Sequence, residues 1–134
     1  MVHYSEKTPG ISHGKAFDLQ HMSDRQVEGW INERTARLKE VGFETPMGEV
    51  VKLVQHGVGE MYEDIRAADG TMEPTGANLL MAMWTLDPSR VQSNLGDFTQ
   101  IATDVYMGVR AWRDKTGGVG LPQSLVVSPV EANR

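Results

Sequence analysis

Apolar residues recur at alternating steps of four and three along two stretches of this chain. The first series is Met47, Val51, Val54, Val58, Met61, Ile65 and Ala68; the second is Val91, Leu95, Phe98, Ala102, Val105, Val109 and Trp112. Steps of four and three average close to one α-helical turn, so each series lines one stripe of a helix, whereas a half-buried strand would alternate by two. The pattern restricts the chain to an all-α fold with two long helices whose stripes pack on each other or on copies of themselves. At 1.5 Å per residue, helices of about 22 and 28 residues would run about 33 and 42 Å.

Local signals place the ends of these helices. Thr45-Pro46 predicts a cap and a first-turn proline for the first long helix, and Asp69-Gly70 closes it; Asp87-Pro88 predicts the same start for the second, which the glycines after Lys115 stop. Gly57 and Gly59 fall inside the first, each at a cost of about 1 kcal/mol relative to alanine, and imply either close approach of another backbone or a local break. An earlier amphipathic helix is expected over 23–41. Ser23 and Gln26 form a capping box, Val27, Ile31, Leu38 and Val41 follow at helical spacing, Gly42 supplies a left-handed stop and Phe43 folds back on the last turn. Residues 79–84, Leu-Leu-Met-Ala-Met-Trp, are apolar on every side, which predicts a short helix buried in this fold or against a neighbour.

The expected organisation is an N-terminal arm over 1–22, a helical domain over 23–115 and an extended C-terminal arm over 116–134, with a four-helix arrangement at its centre. The first arm holds Pro9-Gly10 and His3, His13 and His21, at no recognised ligand spacing. The second reads as an apolar tail with a short strand-like stretch, whose Pro122 and Pro129 suit an edge strand or an extended arm. Segments of this kind fray in isolation, so a neighbouring subunit is expected to hold them. Leu79, Leu80, Met83, Trp84, Leu121, Leu125, Val126 and Val127 are the expected interface residues.

At 134 residues with 40% hydrophobic and 23% charged residues, the chain has the balance of one globular domain. It contains no cysteine, so disulfides, thiolate metal sites and cysteine nucleophiles are excluded. The first residues carry no apolar run, and the longest apolar stretch is far below the roughly 20 residues that span a bilayer, so neither a secretory signal nor a membrane partner is expected. A cytoplasmic or virion location follows as the expectation. The net charge of −5 lies wholly in residues 44–73, where seven acids face Lys52 and Arg66. No stretch is basic enough to follow a phosphate backbone; Arg110, Arg113 and Lys115 fall in a last helical turn, where cations complement the helix dipole. A nucleic-acid partner is therefore not expected.

The chemistry-bearing residues form one constellation. His56, Glu60 and Glu63 share a side of the first long helix, with Asp64 adjacent, while Asp97 and Asp104 lie one heptad apart on the second. Facing one another, Glu60, Glu63, Asp97 and Asp104 could bind Mg or Mn and hydrolyse a nucleotide, with His56 assisting. The heptad register opposes this. With Val51 and Val58 at a, His56 and Glu63 fall at f and Glu60 at c; with Leu95, Ala102 and Val109 at a, Asp97 and Asp104 both fall at c and point outward. The chain also lacks the adjacent glutamates and the later Glu-x-x-Asp of the all-helical nucleotide pyrophosphohydrolases. Residues 64–73 fail as a calcium loop because Arg66 and Ala68 stand at ligand positions, no Gly-x-Ser-x-Gly elbow is present, and no Gly-Lys-Ser/Thr follows the glycines at 117–120. The function expected from the sequence is non-catalytic. It is a structural subunit of a homo- or hetero-oligomer, either a repeated particle component such as a phage head–tail protein or a small accessory subunit of a multisubunit enzyme, without a cofactor. The metal-dependent hydrolase and an acidic inhibitor or adaptor that binds a basic protein partner are the alternatives.

Overall fold

The computed structural model describes residues 18–57, 72, 74–117 and 121–126. Of these, 79% are helical and none lies in a strand, so the fold is all-α. The elements are α1 (Asp24–Glu40), α2 (Met47–Gln55), α3 (Gly76–Leu86), α4 (Pro88–Ser93), α5 (Leu95–Thr116) and a 3-10 turn (Gln123–Leu125); residues 18–21 add a helical turn before α1. α5 packs against α1 and α3, α3 also meets α2, and the 3-10 turn rests on α1 and α2. Among the described residues no helix is long and apolar enough to cross a membrane.

α1 begins and ends as its local sequence dictates. The Ser23 hydroxyl accepts from the Gln26 N–H while the Gln26 side chain accepts from the Ser23 N–H, a complete capping box. At the other end Gly42 takes φ +82°, the Phe43 N–H donates to the Leu38 carbonyl and the Gly42 N–H to the Lys39 carbonyl, the paired bonds of a Schellman stop. Phe43 is thereby driven into the core, where its ring meets Phe98 of α5 edge-on at 5.5 Å between centroids.

α2 departs from expectation. Pro46 rather than Thr45 occupies the N-cap, with no side-chain cap, and the helix ends at Gln55 instead of running on past residue 60. His56 is the C-cap, and Gly57 takes φ +94°, a left-handed conformation that a continuing helix cannot contain. Met47, Val51 and Val54 of the predicted stripe are buried; Val58, Met61, Ile65 and Ala68 lie outside the described residues.

The second predicted long helix is broken at Asn94, whose φ of −127° and ψ of 40° separate α4 from α5. Its start is as expected, with Asp87 accepting from the Arg90 N–H and Pro88 in the first turn. The break changes which residues face inward: Leu95, placed in the stripe by its spacing, is 44% exposed. Below the break α5 buries more than one stripe, namely Phe98, Ile101, Ala102, Asp104, Val105, Gly108, Val109 and Ala111, because α1 and α3 both pack on it. Asp104, expected to point outward, is therefore only 7% exposed.

Both arms contribute to the core. Leu19, within the segment read as the N-terminal arm, is fully enclosed, and the Lys115 ammonium donates to the Gln20 carbonyl. Within the tail read as carrying a strand-like stretch, residues Gln123–Leu125 form the 3-10 turn, with Leu125 and Pro122 buried against the helices, while 127–130 lie outside the described residues. Proline supplies the reason. Pro122 holds φ at −55° just before the turn, and the Leu125 and Val126 N–H groups donate to the Pro122 and Gln123 carbonyls rather than to a neighbouring strand.

Candidate functional site

The acidic constellation is not assembled as a site in the described part of the chain. Asp97 and Asp104 lie on α5 opposite arginines of α1: Arg34 Nη1 is 3.9 Å from Asp104 Oδ2, and Arg37 Nη2 is 3.9 Å from Asp97 Oδ1. Gln100, one turn before Asp104, donates to its carboxylate at 2.8 Å. The two carboxylates thus clasp α5 to α1, and Arg34 also lies over the Trp30 ring at 5.4 Å, a cation–π contact that steadies it. His56 is exposed at the end of α2. Glu60, Glu63 and Asp64 lie outside the described residues. Among the described residues no group of three or more His, Asp or Glu side chains is close enough to hold a metal ion.

The residues expected at an interface divide into two sets. Leu79, Met83 and Leu125 are enclosed by the chain's own core. α5 and α2 pack against α3 and cover the sides that carry Leu79 and Met83. Leu80 and Leu121 are half-buried, Trp84 is 37% and Val126 45% exposed, and Val127 lies outside the described residues. The apolar run of α3 is therefore buried by its own chain on one side only, and the expectation of burial in this fold or against a neighbour is met by the fold on that side alone. Leu80, Met81 and Trp84 share the open side, whereas Leu86, 43% exposed, is the last helical residue and lies on the side of Leu79 and Met83. α3 contains no charged residue in its 11 positions, although the Thr75 hydroxyl caps it in an ordinary way by accepting from Asn78. A helix side that faces water normally carries charge.

A second surface feature was not legible in the sequence. A half-open cavity of about 320 Å³ lies between the end of α1, the 43–48 connection and the C-terminal turn, with Asn32, Lys39, Phe43, Met47, Ser124 and Val126 among its walls. The turn that forms one wall is held by Glu28, whose carboxylate accepts from the Ser124 N–H at 2.8 Å. Glu28 and Ser124 are 96 residues apart, and nothing in either segment's spacing announces the bond. The Ser124 hydroxyl is enclosed without a hydrogen-bond partner among the described residues.

Comparisons with protein-family models, with curated proteins and with solved structures find no match for this chain.

Proposed function

We propose that the chain is a non-catalytic structural subunit of a larger oligomer, in which the open side of α3 packs against a neighbouring copy. A repeated particle component, such as a phage head–tail protein, and an accessory subunit of a multisubunit enzyme both belong to this class. The observation that carries the reading is α3 itself: 11 residues without a charge, presenting Trp84 outward beside the half-buried Leu80 and Met81. Exposed apolar side chains grouped on one uncharged element mark association surfaces, and tryptophan is among the residues that dominate them. Charge selects the partner surface. Copies that each carry −5 repel one another, and contact through an uncharged helix keeps that repulsion smallest where the surfaces meet.

Sedimentation velocity on wild type and on Trp84→Glu tests this. The wild-type chain is expected to associate with rising micromolar concentration, and the variant to remain monomeric with unchanged helix content by circular dichroism. A wild-type chain that stays monomeric at about 100 times that range, and with which no protein co-purifies from its source, overturns the proposal.

A further inference from the structure

The open side of α3 continues onto the edge of α5. Gly76, the first residue of α3, lies against Thr103: a β-carbon built on it would stand 3.7 Å from Thr103 Cα. The six residues of α4 link the other end of α3 to the start of α5, so the two packed helices run antiparallel. One turn along from Gly76, Leu80 comes level with Thr99, and a further turn brings Trp84 level with Leu95. Leu95 is 44% exposed, Thr99 is exposed and Thr103 is half-buried. The Thr99 hydroxyl donates to the Leu95 carbonyl at 2.7 Å, and the Thr103 hydroxyl to the Thr99 carbonyl at 2.8 Å. Both donors are bonded within α5, so covering these side chains leaves no hydroxyl proton without a partner. Leu80, Trp84, Leu95, Thr99 and Thr103 thus form one uncharged strip across two helices.

Resting on the assembly reading above, we propose that the contact surface between copies is this two-helix strip, and that it meets the same strip of a second copy. Area calls for the second helix. An 11-residue helix is about 16 Å long and about 10 Å wide, and a footprint of order 160 Å² falls well short of the roughly 800 Å² that each partner contributes to a stable contact. The α5 edge widens the surface without bringing in a charge, whereas α2, which packs on the other flank of α3, carries Glu49 and Lys52. Charge names the occupant. Nothing on the strip can pair with a charge, so a partner that buried one there would lose its hydration without compensation. A surface free of charge must therefore meet it, and α3 is the only α-helix among the described residues without a charged side chain. The strip is its own complement, as an isologous contact requires.

The test is sedimentation velocity on the full chain, comparing Thr99→Glu and Leu95→Glu with Ala36→Glu, which adds the same charge to the exposed side of α1. Equal net charge separates a local contact from general repulsion. A glutamate at 95 falls in the first turn of α5, where it complements the helix dipole, and one at 99 replaces a β-branched residue with a better helix former. Both variants are therefore expected to keep wild-type helix content by circular dichroism; should one lose it, the other decides. Each is expected to weaken association at least tenfold, while Ala36→Glu stays within twofold of wild type. If Thr99→Glu and Leu95→Glu associate as wild type does while Trp84→Glu does not, the two-helix strip is overturned and the assembly reading stands. An equal loss in Ala36→Glu also overturns it, in favour of general repulsion. A purified wild type that stays monomeric overturns the contact between copies, and the assembly reading falls with it when no protein co-purifies.

Discussion

Gly108 of α5 lies so close to Ile31 of α1 that a β-carbon built on the glycine would stand 2.5 Å from Ile31 Cγ1 and 3.2 Å from Trp30 Cε3. The helix pair at the heart of the fold meets there without room for a methyl group. Ile31 is fully enclosed, so it has no free direction in which to yield. Gly108→Ala is expected to destabilise the chain by about 1–3 kcal/mol, the range for overpacking a filled core, despite the better helix propensity of alanine. Urea denaturation of the two proteins measures it. An unchanged midpoint would show that the α1–α5 contact is looser than described.

The carboxylate of Asp104 provides a second test. Its side chain is nearly enclosed, with Gln100 at 2.8 Å and Arg34 at 3.9 Å, while Arg34 itself is 43% exposed. Solvent therefore screens the ion pair. A double-mutant cycle of Arg34→Ala and Asp104→Asn is expected to give a coupling of about 1 kcal/mol or less, and the Arg37–Asp97 pair, exposed on both sides, less again. Coupling above about 2 kcal/mol for Arg34 and Asp104 would mean that the pair is shielded from water.

Stopping α1 requires a residue that tolerates φ +82°, and Arg90 packs its guanidinium over the same spot, 3.1 Å from where a β-carbon at Gly42 would lie. Gly42→Ala is expected to cost about 1 kcal/mol from backbone strain, and Ser23→Ala at the opposite end about the same from loss of the cap. Thermal unfolding checks both. The two sites sit at opposite ends of one helix and share no partner, so their effects are expected to add.

Ser124 gives a prediction of opposite sign. Its hydroxyl is enclosed without a hydrogen-bond partner among the described residues, whereas its backbone N–H is bonded to Glu28. Ser124→Ala keeps the N–H and removes the orphaned group, and is expected to raise stability by about 1 kcal/mol. A loss of stability would identify the hydroxyl as bonded, through water in the adjoining cavity or directly.

What could be read from the chain in advance was local. The capping box at Ser23 and Gln26, the glycine stop at Gly42, and the Asp87-Pro88 start each involve partners within a few residues, so neighbouring letters are enough to specify them. The break at Asn94 and the exposure of Leu95 were not legible, because the steps of four and three run through that point without interruption. Composition singled out the apolar run that holds Trp84, which is 37% exposed. Yet the same composition also named Leu79 and Met83, which the fold encloses.

Helical character and the caps at Ser23, Gly42 and Asp87 follow from spacing and turn chemistry, which act over one or two helical turns. Which side of each helix is dry does not follow, because burial is set by elements distant in sequence. Asp104 is inside because α1 and α3 both press on α5 and widen its buried surface beyond one stripe. Glu28 and Ser124 meet across 96 residues for the same reason: a contact between remote segments exists only once the chain between them has folded.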